Sequence, residues 1–275
     1  MNRTYLPDYN LAITLLGGQS FGWDKIGDTF IGFTVDRAAK IKREGEYILW
    51  QTYPVHDDWD WLSSYLRLDI DYENIIKEIS KDKYIKSAIK AYPNLRILNQ
   101  NFEEAFISFL CSPTKSIVGI RQCIRLLADK FGDKLLLDDR EISLFPKAER
   151  LAQADINEIL ACKVGFRAKN IHEAAQKLMK EPVTERIQSL KLNEARTELM
   201  KFRGVGDKVA DCTLVYGLGF NEITPFDVWG KRIMQKYYGF NEKAKYEDMS
   251  LWMKEYFNGY AAWAGQFLFE YIRSR

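Results

Sequence analysis

A chain of 275 residues is long enough to bury a large hydrophobic core, as one globular unit or two closely packed lobes. Hydrophobic residues make up 47% of the chain and charged residues 28%, which is typical of a folded protein and excludes long disordered tails. The formal net charge of +2 neither supports nor excludes nucleic acid as a partner, so local features must decide.

The sequence shows no sign of a membrane segment or a metal site. No window approaches the roughly 18 uncharged apolar residues of a membrane helix, and the N-terminus lacks an apolar stretch of signal-peptide length. We therefore predict a cytoplasmic protein. The cysteines are widely scattered, without a C-x-x-C pair, at Cys111, Cys123, Cys162 and Cys212. We predict that they are reduced thiols, with no metal and no cofactor.

The first part of the chain favours short β-strands. Runs rich in apolar and β-branched residues are separated by glycine-containing turns and lie at Leu11 to Leu15, Thr29 to Val35, Ala38 to Arg43 and Tyr47 to Thr52. Such runs between turn residues predict strands. Together they predict a small antiparallel sheet.

From Trp59 onward the apolar residues recur with helical spacing, as in Tyr72 to Ile79 and Phe102 to Leu110, up to the C-terminus. The breakers between these helices are brief, which indicates closely packed antiparallel helices. We predict an α+β fold, in which residues 1–100 form an antiparallel-sheet lobe with flanking helices and residues 101–275 form a helical region.

The most informative segment is a hairpin at residues 199–218, where a helical pattern is interrupted by Gly204-Val205-Gly206 and resumes at once. The glycines permit a tight turn, and the first amides of the second helix lack intrahelical acceptors, so they can bind a DNA phosphate. Lys208 falls in the first turn of that helix, where the helix dipole favours the neutral, nucleophilic amine. A bare G-x-G is also common in ordinary helical hairpins.

Asp227 lies nineteen residues after Lys208, in the segment Thr224-Pro225-Phe226-Asp227, and leads into the next predicted helix. An Asp in this position is a natural N-cap. Capping does not exclude catalysis, because a carboxylate held at a helix terminus is well placed beside the amine of a lysine. We predict that Lys208 and Asp227 are the catalytic pair.

Collinear blocks of the chain closely resemble the helix-hairpin-helix, Gly/Pro-rich loop, Asp (HhH-GPD) superfamily of base-excision glycosylases, and within it the 8-oxoguanine DNA glycosylases. The blocks are LGGQSF-x-W at 16–23, GFRAK at 165–169, GVGDKVADC at 204–212, PFDV at 225–228, YAAWA at 260–264 and LF at 268–269. The resemblance implies a twisted antiparallel sheet on a mainly helical core, and bent duplex DNA with the damaged nucleotide flipped into a cleft.

The resemblance also implies a reaction at the sugar. Lys208 would attack C1′, displace the base and form a Schiff base, and β-elimination would then nick the strand. Asp227 would stabilise the positive charge that develops on the sugar and help to deprotonate the amine. The protein would be a bifunctional glycosylase and abasic-site lyase of base-excision repair. It would act as a monomer, in association with the nucleoid, on duplex DNA that contains 8-oxoguanine or abasic sites.

Further residues take expected roles from the same resemblance. The carbonyl of Gly18 would accept from the N7–H that distinguishes 8-oxoguanine from guanine, and Cys212 and Phe269 would cover the two faces of the base. Phe166 would fill the gap left by the flipped base, and Arg167 would read the opposite base. The complete expected base pocket is Gly18, Cys212, Pro225, Gln266 and Phe269, and the expected DNA-binding residues are Phe166, Arg167, Gly204, Gly206, Val209 and Trp229.

The chain departs from the family pattern at three places. Gly265 stands where a Gln commonly reads the Watson–Crick edge, and Gln266 comes one residue later, about 100° around a helix. The family's Asn-rich turn corresponds to 112–116, and Gly119 replaces the Arg that follows it. Trp229 stands where some members place a phosphate-binding His. The preference for the opposite base and the way the lesion's edge is read therefore stay open.

Two alternatives stay open as well. The chain could be an HhH glycosylase for another damaged purine, although alkylation enzymes of the superfamily usually lack the hairpin lysine. Enzymes for adenine and pyrimidine lesions usually carry a four-cysteine cluster near the end, but no cysteine follows Cys212. The other alternative is a noncatalytic DNA-binding protein that uses the hairpin only for phosphate contact.

Overall fold

The computed structural model describes residues 1–274. Its N-terminal part contains the predicted antiparallel sheet. Five strands pair in the order β1-β5-β4-β3-β2, with bounds β1 Asn2–Tyr5, β2 Trp23–Ile26, β3 Thr29–Phe33, β4 Ala38–Glu44 and β5 Tyr47–Tyr53. Every pairing is antiparallel. The expected sheet lobe is therefore confirmed, with two strands, β1 and β2, that the sequence patterns did not reveal.

The predicted strand at Leu11 to Leu15 is wrong, because these residues form the helix α1, Leu11–Leu16. The side chain of Asn10 accepts from the amide of Ile13 and caps the helix. Leu11, Thr14 and Leu15 are its buried residues, a spacing that suits one helix face. A run of five mainly apolar residues does not distinguish a strand from a helix, so the cap and the packing decide.

The remainder of the chain is mainly helical, as predicted. Its helices are α2 Trp59–Tyr65, α3 Tyr72–Ile79, α4 Lys83–Ala91, α5 Phe102–Leu110, α6 Ile117–Phe131, α7 Ala148–Gln153, α8 Ile156–Ile159, α9 Ala168–Lys180, α10 Val183–Gln188, α11 Leu192–Met200, α12 Asp207–Leu218, α13 Val228–Tyr238, α14 Tyr246–Tyr256 and α15 Ala261–Arg273. Between α8 and α9 the chain forms a π-helical turn at Leu160–Val164 and a 3-10 turn at Gly165–Arg167.

One interruption of the helical region was not predicted. The strands β6 Lys134–Leu137 and β7 Arg140–Ser143 form a two-stranded hairpin. Its turn residue Asp138 accepts a hydrogen bond of 2.5 Å from the hydroxyl of Tyr53 and pairs with Lys40. Strands of four residues are too short to show a clear alternation, and here contacts with the main sheet hold the hairpin in place.

Two hydrophobic clusters lie on opposite sides of the main sheet. The smaller one packs Trp23, Ile41 and Ile48 of the sheet against Leu15 of α1 and Leu62 of α2. The larger one contains the other sheet face and the interior of the helical region. Helix α15, at the end of the chain, packs on α3 and α4, and α12 packs on α5. The two ends of the chain therefore meet, and the predicted division near residue 100 stays a prediction.

Candidate active site

The hairpin at 199–218 positions Lys208 at the start of a helix. Helix α11 ends at Met200 and α12 begins at Asp207, and no side chain caps α12. The amides of the first turn of α12, from Asp207 to Val209, therefore lack intrahelical acceptors and are available to an anion. The glycines of the turn, Gly204 and Gly206, are both exposed. This end of α12 has the arrangement expected for binding a phosphate.

The amine of Lys208 is held by a hydroxyl. Its Nζ donates to Ser112 Oγ at 2.8 Å and lies 5.1 Å from the ring centroid of Phe109. Ser112 Oγ in turn donates to the carbonyl of Phe109 at 2.8 Å. None of the ion pairs within residues 1–274 involves Lys208. A neutral hydroxyl therefore orients the amine.

Asp227 is the N-cap of α13, as the sequence predicted. Its Oδ1 accepts from the amides of Trp229 at 2.8 Å and Gly230 at 3.0 Å. These two bonds fix the carboxylate, and its Oδ2 takes part in neither of them. Asp227 and Lys208 line the same cavity. The structure thus brings the predicted catalytic pair together at the starts of two successive helices.

The same cavity contains every residue of the predicted base pocket. Its wall includes Gly18, Cys212, Pro225, Gln266 and Phe269. Four more residues of the wall were not predicted as site residues: Phe109, Tyr216, Thr224 and Gly265. Tyr216 could have been found, because it lies four residues after Cys212 and eight after Lys208, on the same face of α12.

Gly18 occupies a position that excludes a side chain. Its φ is +95°, and a Cβ added there would lie 2.5 Å from Cδ1 of Ile117. The following residue, Gln19, fixes this loop, because its Nε2 donates to the carbonyls of Thr14 and Arg96 at 2.9 and 2.8 Å. The loop backbone therefore approaches the cavity closely and is held rigidly there.

Gln266 is buried and both ends of its amide are bonded. Its Oε1 accepts from the hydroxyl of Tyr216 at 2.7 Å, and its Nε2 donates to Glu270 at 3.3 Å. Arg273 donates to the other oxygen of Glu270 at 2.6 Å. Burial raises the pKa of Glu270 to about 7, although Arg273 opposes the shift. These bonds tie Gln266 to its own helix and to α12.

Cys212 presents a neutral sulfur to the cavity. The residue is 3% exposed, and burial raises the pKa of its thiol to about 12, against the lowering effect of nearby Lys208. A neutral, polarisable thiol is suited to packing against a base rather than to nucleophilic attack. Phe269 is half-buried, and the guanidinium of Arg273 lies 5.1 Å from its ring centroid.

The predicted DNA-binding residues differ in exposure. Phe166 is 71% exposed, as expected for a wedge between base pairs. Arg167, in contrast, is 4% exposed and donates to the carbonyl of Val164 at 2.9 Å and to Thr114 Oγ1 at 2.8 Å. It also donates to the carbonyl of Pro113. Reading an opposite base with Arg167 would require these bonds to be exchanged.

Two other DNA-binding predictions are restricted by burial. The side chain of Val209 is buried, so only its backbone amide can face a phosphate. Trp229 is half-buried, and the guanidinium of Arg232 lies 4.8 Å from its ring.

Within residues 1–274, no group of His, Cys, Asp or Glu side chains is arranged to hold a metal ion. No helix in the same range is long and apolar enough to cross a membrane.

Comparison with known proteins covers nearly the whole chain. Residues 4–106 match the family model of the 8-oxoguanine DNA glycosylase N-terminal domain, and residues 107–258 match that of the HhH-GPD superfamily of base excision DNA repair proteins. An N-glycosylase/DNA lyase of Saccharomyces cerevisiae is 28% identical over 255 residues, which are 83% of this chain and 68% of that protein. The chain spans 61 to 68% of the length of the curated relatives it matches.

Two solved structures are similar over almost their full length. The structure of MBOgg1 with a low-affinity DNA ligand has a TM-score of 0.91 and 33% identity, and the match covers 98% of this chain and 93% of that one. The 8-oxoguanine glycosylase/lyase of Clostridium acetobutylicum, bound to duplex DNA with cytosine opposite 8-oxoguanine, has a TM-score of 0.90 and 28% identity. That match covers 97% of this chain and 92% of the other.

The fold, the hairpin, and Lys208 and Asp227 in one cavity define the class: the chain belongs to the HhH-GPD superfamily of base excision DNA repair proteins. Within that class it is a DNA-binding enzyme of the 8-oxoguanine glycosylase type, an N-glycosylase with abasic-site lyase activity. The family predicted from the sequence blocks is thereby confirmed. The roles of the individual site residues stay predictions.

Proposed function

We propose that the protein removes 8-oxoguanine from duplex DNA with Lys208 as the nucleophile. The observation that carries the proposal is that Lys208 and Asp227 line the same cavity as all five residues of the expected base pocket. An amine at a helix start, oriented by a hydroxyl and lining the same cavity as a fixed carboxylate, is suited to attack on a sugar carbon.

The proposed reaction has four steps. Nζ of Lys208 bonds to C1′, while the bond between C1′ and the base breaks and the base leaves with the electron pair and takes up a proton. Loss of the proton on nitrogen and opening of the sugar give a Schiff base. Loss of a 2′ proton then expels the 3′ phosphate, and water hydrolyses the imine to free Lys208.

Asp227 acts on the charge of the sugar. As the bond to the base breaks, positive charge develops at C1′, and a carboxylate held by two backbone amides stabilises it without moving. Because the amides of Trp229 and Gly230 already fix the carboxylate, little reorganisation is needed during the reaction. The same carboxylate can accept the proton that Lys208 must lose.

Selection of the base rests on one hydrogen atom. Guanine has a lone pair at N7, whereas 8-oxoguanine has an N7–H donor, so a backbone carbonyl aimed there favours the lesion. In the proposed complex this carbonyl belongs to Gly18, whose close approach depends on the absence of a side chain. Cys212 and Phe269 cover the faces of the flipped base, and Pro225 and Gln266 complete the pocket.

The DNA itself is held outside the cavity. In this proposal the amides at the start of α12, next to Gly204 and Gly206, bind one phosphate, and the indole N–H of Trp229 donates to another. Phe166 fills the gap that the flipped nucleotide leaves in the duplex. All these groups come from one chain, so we propose a monomer that works in the cytoplasm, on the DNA of the nucleoid.

Borohydride trapping tests the nucleophile. The protein is incubated with duplexes that carry 8-oxoguanine or an abasic site, and the Schiff base is reduced to a stable covalent adduct. The wild type is expected to give an adduct on both duplexes, and Lys208→Gln on neither. The control is Lys201→Gln, because Lys201 is an exposed lysine on the same hairpin that pairs with Glu198. It should keep the adduct.

Each other outcome contradicts a part of the proposal. An adduct in Lys208→Gln at the wild-type yield would assign the nucleophile elsewhere. A wild-type adduct at the abasic site without excision of 8-oxoguanine would indicate a glycosylase for another damaged purine. A wild type that binds both duplexes without any adduct would indicate a noncatalytic DNA-binding protein.

A further inference from the structure

A side chain from a neighbouring loop occupies the space beside Gly265 in the cavity wall. A Cβ added to Gly265 would lie 1.8 Å from Oγ1 and 2.7 Å from Cβ of Thr224. Both distances are far below van der Waals contact, so a side chain at residue 265 and the present position of Thr224 exclude each other. The polar group at this point of the wall therefore comes from Thr224 and not from α15.

The hydroxyl of Thr224 is the unused polar group of this wall. Among the uncharged side chains with oxygen or nitrogen that line the cavity, Tyr216 and Gln266 are bonded to each other, and Gln266 also to Glu270. No hydrogen bond of the described part of the chain uses Oγ1 of Thr224. The residue is 5% exposed and lines the cavity.

We propose that the Thr224 hydroxyl hydrogen-bonds to the polar edge of the flipped base and is a specificity-determining residue of this enzyme. The inference rests on the proposed function, since it takes the cavity to be the base pocket. The hydroxyl has no protein partner in the empty cavity, so a base that hydrogen-bonds to it adds an interaction without breaking one.

The chemistry of the group fits the ligand. A hydroxyl has one donor and two acceptor positions and rotates to suit its partner. The edge of 8-oxoguanine offers a carbonyl acceptor together with N–H donors, so a single hydroxyl can pair with either kind of group. Pro225, next in the chain, restricts the backbone, and Asp227 follows two residues later. Contacts to the base and to the sugar therefore come from one short segment.

Gln266 is less suited to the same task. Its carbonyl oxygen already accepts from Tyr216, and one of its two N–H donors is directed to Glu270. Turning the amide toward a base would break both bonds in a buried environment. The hydroxyl of Thr224 needs no such exchange, because it has no bond to lose.

A matched pair of variants tests the hydroxyl. Thr224→Val keeps the branched shape and removes the hydroxyl, whereas Thr224→Ser keeps the hydroxyl. Excision of 8-oxoguanine and cleavage at an abasic site are measured for each variant under single-turnover conditions. We expect Thr224→Val to lower excision about 10- to 100-fold, with abasic-site cleavage within about threefold of wild type. Thr224→Ser should restore most of the excision rate.

A second variant displaces the same hydroxyl by a change in the neighbouring residue, Gly265. Gly265→Ala adds the Cβ that lies 1.8 Å from Oγ1, so the Thr224 side chain must move. It is expected to show the same selective loss of excision, and combining it with Thr224→Val should add little, because both changes remove one interaction. Thermal unfolding of each variant reports whether the fold is intact.

The outcomes separate this inference from the proposed function. If the wild type excises 8-oxoguanine and Thr224→Val does so at the same rate, the role of Thr224 is overturned while the function stands. An equal loss of excision and abasic-site cleavage in a folded Thr224→Val would also overturn it, because a base contact cannot affect a substrate without a base. A wild type that neither excises nor traps overturns the proposed function and the inference together.

Discussion

Two walls of the cavity differ in how the chain builds them. The reaction wall, Lys208 and Asp227, lies at the starts of the successive helices α12 and α13. The recognition wall, Gly18, Thr224 and Gln266, combines a loop after α1, the segment before Asp227 and the C-terminal helix α15. One wall is local in sequence, whereas the other requires the two ends of the chain to meet.

The proposed reaction and the selection of the base therefore depend on different parts of the sequence. Helix starts fix the backbone positions of the lysine and the aspartate, since the cap and the first turn belong to the helix itself, and Ser112 then holds the lysine amine. The recognition wall depends on which side chain fills which space, as Ile117 beside Gly18 and Thr224 beside Gly265 show. Substitutions in the reaction wall should therefore abolish chemistry, and those in the recognition wall should alter selection.

Asp227→Asn should produce the largest effect. Asn is as good an N-cap as Asp, so α13 should remain folded, while the negative charge beside the sugar is lost. We expect a decrease of about 10³-fold in both excision and abasic-site cleavage, measured under single-turnover conditions. The melting temperature should stay within about 2 °C of wild type.

The matched control for this change is Asp227→Ala, which removes the charge and the cap together. It should lose activity to a similar extent and also lose about 1 kcal/mol of stability. Retention of wild-type cleavage by Asp227→Asn would show that Asp227 only caps the helix, and the reaction wall would then consist of Lys208 alone.

Glu270 accepts a hydrogen bond from Gln266 of the recognition wall. We expect Glu270→Gln to change how the free energy of unfolding depends on pH. The folded protein holds the proton of Glu270 up to a pKa of about 7, whereas an ordinary Glu loses it near 4.5. The free energy of unfolding contributed by this group is therefore fully present below pH 4.5 and is lost as the pH rises through 7. In Glu270→Gln, the decline in the free energy of unfolding between pH 4.5 and 7 should be smaller than in the wild type by about 2 to 3 kcal/mol.

Urea unfolding at pH 5, 6, 7 and 8 measures this difference. If the wild type and Glu270→Gln decline in parallel over that range, Glu270 is ionised in the folded protein at the lower pH values. The bond between Gln266 and Glu270 would then be a bond to a carboxylate under all these conditions.

Gly18→Ala should weaken recognition more than reaction. The added Cβ would meet Ile117 in a backbone conformation that costs a residue with a side chain about 1 to 2 kcal/mol. We expect excision of 8-oxoguanine to fall about 10- to 100-fold and abasic-site cleavage to change by less than about threefold. The control is Gly27→Ala, which has a φ of +62° but no neighbour within 4 Å of the added atom.

Gly27→Ala should cost stability without changing excision. If Gly18→Ala lowers excision and abasic-site cleavage equally, the loop after α1 supports the whole cavity and the two walls are not separable. If it leaves both unchanged, the backbone of Gly18 does not contact the base.

The smallest effect is expected for the base opposite the lesion. Gly119 offers no side chain, and Arg167 is buried on Thr114, so wild-type excision should vary less than about threefold among the four opposite bases. Gly119→Arg adds a cation near that base, and the Cβ has room, with its nearest neighbour at 3.5 Å. It should raise the preference for cytosine about 10-fold, whereas Gly119→Ala should not. A strong cytosine preference in the wild type would indicate that Arg167 is released when DNA binds.

Much of the fold could be predicted from periodicity and turn residues, namely the sheet-bearing start, the helical remainder and the hairpin with Lys208. The segment Leu11 to Leu15 was predicted wrongly because a short, mainly apolar run suits either structure, and only the Asn10 cap and the burial of one face decide for a helix. The β6-β7 hairpin was missed because contacts of Asp138 with Tyr53 and Lys40 hold it, and those partners lie far away in the chain.

The local sequence was enough to predict Lys208 and Asp227 as the catalytic pair, because the starts of α12 and α13 are set by local order. The tertiary structure decided what surrounds them. Only packing shows that Arg167 is buried, that Gln266 is tied to Tyr216 and Glu270, and that Thr224 fills the space beside Gly265. The physical reason is that a close contact excludes other atoms, and which atoms come that close depends on segments that are distant in the chain.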